Sequence, residues 1–179
     1  MDFVYQGRCW KFGDAISVDA DLTKKEFATS RELRPDILRE HVMVTIDPDF
    51  PKNVKPGDIL VAGRRFAQGN PHIQGLIGVA ALGLGLVVES IPRGSYRNAV
   101  NAGLPFLPHC EGVTAACETG DELRVDFATG RFENLTRGTV HTYAPLPDML
   151  RETIALGGWK PMVMKRLAAM RQAGEVPAA

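Results

Sequence analysis

The chain has 179 residues, of which 45% are apolar and 23% are charged, so its composition is that of an ordinary globular protein with a sizeable core. Lys and Arg together number 21, and so do Asp and Glu. Because no net field would attract a polyanion, we expect neither nucleic-acid binding nor binding to an anionic membrane. The longest apolar stretch, residues 76–88, is interrupted by glycines, so it is too short and too broken to span a bilayer.

The cysteine pattern argues against cross-linking. Cys9, Cys110 and Cys117 are odd in number and form no Cys-x-x-Cys pair, which disfavours a disulfide framework and a metal cluster held by this chain alone. Since a fourth ligand and a short spacing are missing, we interpret Cys110 and Cys117 as buried thiols and His109 as an exposed imidazole. The first residues show no basic-then-apolar signal pattern, and we therefore expect a cytoplasmic protein.

The first third of the chain predicts a strand, a polar segment and a buried strand. Residues 3–12 alternate enough to form the first strand. Residues 20–41 are polar and irregular, with a short helix predicted around residues 34–41. The continuous apolar run at residues 59–62 is typical of a strand that is buried on both faces.

The middle of the chain alternates between helices and strands. A helix is predicted over residues 71–82, because Asn70 is a favoured N-cap, Pro71 fits the first helical position and Gly83 is a favourable end. Three further elements continue the alternation: a strand over residues 84–89, a helix over residues 95–102 and a strand over residues 105–107. This order predicts an α/β layer with parallel strands.

The last third changes character. Residues 121–143 alternate between apolar and polar side chains around a turn at residues 128–130, which predicts a hairpin with one face open to water. Two closing helices are predicted over residues 147–156 and 159–173. No second core is evident, so we expect one compact α/β domain over residues 1–179.

The segment from Ala62 to His72 is the most informative part of the sequence. It has the pattern of a strand that runs into a glycine turn at Gly69 and then into the start of a helix. Such a turn leaves backbone N–H groups without partners at the positive end of a helix dipole. The sequence therefore predicts an anion-binding site there.

Segments along nearly the whole chain match one protein family, and the most specific are the Trp-Lys-Phe-Gly-Asp and Tyr-Arg-Asn-Ala segments. The matched segments are Gly7-Arg8-Cys9-Trp10-Lys11-Phe12-Gly13-Asp14 with Asp19, Asp47-Pro48-Asp49-Phe50, Val54-Lys55-Pro56-Gly57-Asp58-Ile59-Leu60-Val61-Ala62-Gly63, Val87-Val88-Glu89-Ser90, and Tyr96-Arg97-Asn98-Ala99-Val100-Asn101-Ala102-Gly103-Leu104-Pro105. On these residues the chain resembles the small subunit of 3-isopropylmalate dehydratase, which is the swivelling domain of the aconitase superfamily.

The resemblance implies a single swivelling β/β/α domain that closes over a substrate. It also implies a large partner subunit that holds a 4Fe–4S cluster and is needed for turnover, with no cofactor bound by this chain. The implied reaction is that of a hydro-lyase, which removes and re-adds water across a carbon–carbon bond of a hydroxy-dicarboxylic acid. An isolated subunit of this kind is expected to self-associate through its exposed partner face.

The resemblance is broken at the glycine turn. In the family this turn reads Gly-Ser-Ser-Arg, where one serine acts as the base on the C–H bond and the arginine holds a substrate carboxylate. This chain has Asn70, Pro71 and His72 after Gly69, and Gln68 stands where dehydratases often have Cys. Because Pro71 has neither an ionisable group nor a backbone N–H, it cannot act as a base or as a donor. The usual mechanism therefore does not carry over.

Two interpretations of His72 stay open. In the first, His72 takes a catalytic role near the second residue of the helix, where the dipole disfavours the imidazolium and a neutral ring accepts a proton. Gly69 and the Asn70 side chain then face an anion. In the second, Asn70 and Pro71 only start a helix, His72 is a surface or interface histidine, and the subunit has lost or changed its activity.

Several cations near the turn also allow two interpretations. Arg64 and Arg65 either replace the lost cationic contact or form a solvated strand end. Arg97 either contacts the substrate or belongs to a structural ion pair with an acid such as Glu89.

Lys25, with its neighbours Lys24 and Glu26, falls in the loop that in this family reads the variable arm of the substrate. Charged residues there suit a more polar substrate, or are simply solvated. We thus expect two catalytic residues and four substrate-binding residues: His72 and Asn70, and Gly69, Gln68, Arg65 and Lys25. The alternative is a non-catalytic partner that binds a large subunit or a small carboxylate. A nucleotide site at residues 83–85 is disfavoured because those glycines precede a strand.

Overall fold

A computed structural model describes residues 3–174 of the chain, and the remaining seven residues of the predicted domain lie outside the described part. A seven-stranded sheet has the order β4-β3-β2-β1-β5-β6-β7. Its strands are β1 (Val4–Lys11), β2 (Ile59–Ala62), β3 (Gly85–Val88), β4 (Phe106–Leu107), β5 (Glu122–Asp126), β6 (Arg131–Asn134) and β7 (Thr139–Thr142). The helices are α1 (Lys25–Thr29), α2 (Pro35–Leu38), α3 (Phe50–Asn53), α4 (Gln74–Ala81), α5 (Arg93–Asn101), α6 (Val113–Ala116), α7 (Asp148–Ala155) and α8 (Trp159–Gln172).

β1 joins two halves of the sheet that differ in direction. Its second half runs parallel to β2, with Cys9 opposite Ile59, and its first half runs antiparallel to β5, with Val4 opposite Asp126. The strands β2, β3 and β4 continue in parallel, and β5, β6 and β7 continue antiparallel. The predicted parallel α/β layer and the predicted hairpin are therefore both confirmed.

The parallel strands are covered on both faces, which explains their continuous apolar sequence. Along β2, Leu60 and Ala62 belong to one buried cluster with α4 and α5, while Ile59 and Val61 belong to a second cluster on the opposite face. All three cysteines lie in the second cluster as buried free thiols. Within residues 3–174, no helix has both the length and the apolar character that crossing a membrane requires.

A buried carboxylate ties β1 to the loop that precedes β2. Asp58 accepts hydrogen bonds from the Trp10 indole Nε1 at 2.9 Å, from the Arg8 backbone N–H at 2.9 Å and from the Lys55 backbone N–H at 3.0 Å. The Arg8 guanidinium lies 4.7 Å from the centre of the Trp10 ring. These contacts explain why the Gly-Arg-Cys-Trp and Lys-Pro-Gly-Asp segments occur together in one chain.

A second carboxylate anchors the loop between α6 and β5. Asp121 Oδ2 accepts from Asn134 Nδ2 at 2.7 Å, from the Glu118 backbone N–H at 2.9 Å and from Arg137 Nε at 2.8 Å. The hydrogen bond from Asn134 is the main cause that lowers the pKa of Asp121 below its usual value, with further help from Glu118 and against the opposing effect of burial.

The structure corrects some of the predicted boundaries. The helix predicted to begin at Pro71 begins at Gln74, and Ile73, not Asn70, is its N-cap residue. The region after the hairpin contains a third strand, β7, and the polar segment before β2 contains two short helices, α1 and α2. The two closing helices are confirmed.

Removal of the Asp58 carboxylate is predicted to destabilise the fold. Asp58→Ala leaves three donors without their acceptor, and we expect a loss of about 3 kcal/mol in the free energy of unfolding, measured by urea denaturation. Asp36→Asn, on the exposed surface of α2, is the matched control and should change that value by less than about 0.5 kcal/mol. Equal effects of the two variants would contradict the anchoring role.

The contribution of Asp121 is predicted to depend on pH. Because its pKa is lowered in the folded chain, its carboxylate stabilises the fold above the ordinary Asp pKa of about 4, and this stabilisation is lost as the pH falls further. The difference in unfolding free energy between wild type and Asp121→Asn should therefore shrink as the pH falls from about 5 to about 3. A difference that stays constant over this range would contradict the assignment.

Candidate active site

The predicted turn lies at the carboxyl end of β2, where a second loop is paired with it. The loop that follows β1 runs beside it: the Ala15 N–H donates to the Arg64 carbonyl at 2.7 Å, the Val18 N–H donates to the Gln68 carbonyl at 2.8 Å, and the Gln68 N–H donates to the Ile16 carbonyl at 2.9 Å. In parallel α/β sheets ligands bind at this edge. The pairing therefore places the end of the first loop next to the turn.

The backbone of the turn is held in an unusual conformation. Arg65 and Ala67 both have φ of +58°, and Gly69 has φ of +104°. Added Cβ atoms at Gly69 would meet nothing within 4 Å, so glycine is needed there for its backbone angle and not for space. Ser90 Oγ accepts the Arg65 N–H at 2.9 Å. Strained backbone of this kind is concentrated at functional sites.

The turn brings His72 into contact with Asp19. His72 Nδ1 lies 2.6 Å from Asp19 Oδ1, although 53 residues separate the two in sequence. Asp19 lies in a single π-helical turn, Val18–Leu22, and such turns are frequent at functional sites. Ser17 caps this turn, because its N–H donates to Asp21 Oδ2 at 2.8 Å and its Oγ accepts the Asp21 N–H at 3.3 Å.

The hydrogen bonds assign a tautomer to the His72 ring. A carboxylate accepts only, so Nδ1 carries the proton that is donated to Asp19. The other ring nitrogen, Nε2, lies 3.2 Å from Asn70 Nδ2, which donates to its lone pair. The His72 and Asp19 side chains are 30% and 25% exposed, so solvent and ligands reach them. A ring with a carboxylate on Nδ1 and an accepting lone pair on Nε2 has the partners that a general base needs.

The site differs from the predicted helix start in one electrostatic respect. Because α4 begins at Gln74, His72 precedes the helix, and Asp19 is its nearest charge. The His72 N–H is used by the Asn70 carbonyl at 2.7 Å. Among the described residues, the N–H groups of Gly69 and Asn70 have no protein acceptor, and both residues are exposed. These donors remain available to an anion.

Within the described part of the chain, the other predicted site residues make no side-chain hydrogen bond with His72. Gln68 donates its side-chain amide to the Ala15 carbonyl at 2.9 Å, so it also serves the loop pairing. The Arg65 side chain is exposed. Lys25 is an exposed residue at the start of α1, and no hydrogen bond or ion pair within residues 3–174 joins it to the turn. Only Asn70 and His72 are brought into direct side-chain contact.

An open polar cleft of about 540 Å³ lies beside the turn at the same edge of the sheet. Its lining residues are Arg64, Glu89, Ser90, His109, Glu111 and Gly112. Arg64 Nε lies 3.7 Å from Asp14 and 3.9 Å from Glu89, and Thr114 Oγ1 also donates to Glu89. Of the two interpretations of Arg97, an ion pair with Glu89 is not formed among the described residues: Arg64 lies beside Glu89, and Arg97 is exposed on α5.

The metal-binding capacity of the chain's own residues is limited. Within residues 3–174, no three His, Cys, Asp or Glu side chains are grouped so as to hold a metal ion. Burial raises the pKa of the Cys110 thiol to about 12, which keeps it protonated at neutral pH, and only a thiolate binds iron well. Residues 3–174 therefore offer no ligand set that fits an iron–sulfur cluster.

Known proteins are similar to this chain over nearly its whole length. It is 39% identical over 169 residues to the isopropylmalate/citramalate isomerase small subunit of Methanocaldococcus jannaschii, covering 94% of this chain and 98% of that protein. It is 38% identical over 164 residues to the 3-isopropylmalate dehydratase small subunit of Thermodesulfovibrio yellowstonii, covering 91% and 95%. No family model matches the chain.

A crystal structure of a 3-isopropylmalate dehydratase from Methanocaldococcus jannaschii superimposes with a TM-score of 0.83 at 29% identity, covering 95% of this chain and 99% of that one. The fold, with its curled mixed sheet, is therefore that of the small subunit of an aconitase-type hydro-lyase. Within this class, the chain belongs to the family of 3-isopropylmalate dehydratase small subunits.

Asp19 contacts His72 although it is not among the predicted site residues; in the sequence it belongs only to the matched motif. The sequence signal for Asp19 is its position in the loop after β1, shortly after the Gly-Asp segment at residues 13–14. Because β1 and β2 are parallel neighbours, the loops that follow them lie at the same edge of the sheet. The bridge between Ser17 and Gln68 holds the first loop against the turn, and Asp19 follows Ser17 by two residues.

The assigned tautomer generates a testable prediction. In ¹⁵N spectra of the histidine side chains, His72 should carry its proton on Nδ1, and Asp19→Asn should move the His72 signals because the charged acceptor is lost. The signals of His109 and His141 are internal references, and Asp36→Asn is the control variant. A His72 ring that is protonated on Nε2 in the wild type would contradict the arrangement.

Proposed function

We propose that the chain works as the small subunit of a hydro-lyase in which His72 replaces the usual base of the turn. The observation that carries this proposal is the 2.6 Å contact between His72 Nδ1 and Asp19, with Nε2 left as an acceptor. The proposed reaction is the dehydration and rehydration of a hydroxy-dicarboxylic acid, together with a large subunit. The chain alone is proposed to be inactive.

The proposed chemical role of His72 is proton transfer at a substrate carbon. Its Nε2 lone pair takes the proton from the C–H bond next to a carboxylate, after Asn70 Nδ2 has moved off that lone pair. Asp19 holds the ring in the correct tautomer and stabilises the imidazolium that forms. During rehydration the same Nε2 returns the proton to the neighbouring carbon.

The proposed role of the turn is to hold a carboxylate of the substrate. The exposed N–H groups of Gly69 and Asn70 supply uncharged donors, and the Arg65 side chain is the nearest candidate cation in sequence. Gln68 keeps the two loops paired, so we propose that it contributes to substrate binding indirectly, by holding the turn backbone in place. Lys25 on α1 stays a candidate for the variable arm of the substrate.

The leaving hydroxyl is proposed to be handled outside this chain. In this family the large subunit holds a 4Fe–4S cluster, which supplies a Lewis acid for that hydroxyl. The two named relatives are small subunits whose names state isopropylmalate or citramalate as substrates. A related hydroxy acid is the proposed substrate class here, and a cytoplasmic location and self-association of the isolated chain are further proposals.

A non-catalytic partner of a large subunit is the weaker candidate. The named relatives are subunits of enzymes, and a merely structural turn does not require a histidine aligned between a carboxylate and an amide.

The role of His72 is tested in the reconstituted complex. With the large subunit added anaerobically and a panel of hydroxy-dicarboxylic acids, His72→Gln should lower kcat by about 100-fold or more, as expected for loss of a general base, with KM nearly unchanged. Asp19→Asn should lower kcat less, because the ring remains but its tautomer is no longer fixed.

The matched control is His141→Gln, which alters an exposed histidine on β7, outside the turn and its cleft, and should leave kcat within about twofold. Unchanged turnover of the His72→Gln complex would remove His72 from the chemistry. A wild-type complex that carries its cluster and yet converts none of the acids would contradict the hydro-lyase itself.

A further inference from the structure

The helix α5 presents one face to the turn that carries His72. Gly94, Ser95 and Asn98 lie on that face, because residues three and four apart are neighbours on a helix. Asn98 Nδ2 donates to the Pro71 carbonyl at 2.6 Å, and Ser95 Oγ donates to the Ala67 carbonyl at 2.5 Å. Two side chains of one helix thus hold carbonyls on either side of the glycine in the turn.

The contact between Pro71 and α5 also depends on a missing side chain. A Cβ atom at Gly94 would lie 2.6 Å from the Pro71 Cβ, which is closer than carbon atoms tolerate. Glycine at this position lets the proline ring lie directly on the helix. Because Pro71 has no N–H, its carbonyl is its one backbone hydrogen-bonding group, and Asn98 holds that group.

We propose that Asn98 is a positioning residue, which fixes the Pro71 carbonyl and thereby sets the His72 ring against Asp19. Gly94 and Ser95 of the same helix face assist: Gly94 lies against the Pro71 ring, and Ser95 holds the Ala67 carbonyl at the other end of the turn. The kinetic consequence of this inference rests on the proposed function. Its structural consequence, the orientation of the His72 ring, holds for any reaction at this site.

The structural consequence is tested on the isolated chain by the ¹⁵N signals of the His72 ring. Asn98→Ala should move these signals or split them between two tautomers, because the ring is no longer held toward Asp19. Asn101→Ala is the matched control, since Asn101 is an exposed asparagine on the same helix. The three other histidines of the chain should not respond to either variant. Unmoved His72 signals in Asn98→Ala would overturn the proposal.

Two further variants separate positioning from a loss of folding. Asn98→Asp keeps the size of the side chain but its carboxylate cannot donate to the Pro71 carbonyl, so it should move the His72 signals as Asn98→Ala does. Gly94→Ala displaces Pro71 by contact and removes no hydrogen bond. If Asn98→Ala fails to fold, the response of Gly94→Ala decides, and a His72 ring that is unaffected by it overturns the proposal.

The kinetic consequence is tested in the reconstituted complex. Asn98→Ala should lower kcat by about 10- to 100-fold with KM within about twofold, because a misplaced base acts on the chemical step and not on binding. If His72→Gln leaves turnover unchanged while Asn98→Ala still moves the His72 ring, the proposed function fails and the positioning role stands. If His72→Gln abolishes turnover while Asn98→Ala leaves both the ring and kcat unchanged, the positioning role fails alone.

Discussion

The backbone pairing between the loop after β1 and the loop after β2 is the constraint on which the site depends. Three backbone hydrogen bonds of 2.7 to 2.9 Å join these loops, with further bonds from side chains, and they bring Asp19 to His72 across 53 residues of sequence. Because β1 and β2 are parallel, both loops leave the same edge of the sheet, and an isolated parallel bridge between Ser17 and Gln68 pairs them beyond the strand ends. Without it, neither the tautomer of His72 nor its orientation would be fixed.

The turn itself costs free energy that its surroundings must offset. Arg65 and Ala67 in the left-handed region cost about 1 kcal/mol or more each, and the donors and acceptors that stabilise them come from outside the turn. Ser90 follows β3 and accepts from the Arg65 N–H, while Ser95 on α5 donates to the Ala67 carbonyl. Two neighbouring elements therefore stabilise one strained segment, which is the arrangement expected of a preorganised site.

Most strands of the sheet and the closing helices were predictable from the sequence, whereas β7 and the start of α4 were not. Apolar runs such as residues 59–62 and the alternation after residue 121 report burial directly, so local pattern suffices for them. Asn70 and Pro71 have the local preferences of a helix start, but the Pro71 carbonyl is taken by Asn98 and the His72 N–H by the Asn70 carbonyl. The bond from Asn98 is a tertiary contact that no local pattern encodes, and it occupies the carbonyl that a helix starting at Pro71 would use; the helix begins at Gln74, and His72 lies outside it. The contact of Asp19 with His72 was not predictable either, because it joins residues that are 53 positions apart in sequence.

Proton exchange at the substrate carbon tests the central claim most directly. When the reconstituted complex is incubated with substrate in deuterated water, the account predicts that deuterium enters at the carbon next to the carboxylate, and that this exchange disappears in the His72→Gln complex while substrate still binds. Exchange that continues at the wild-type rate without the imidazole would show that another group moves the proton, and would contradict the account.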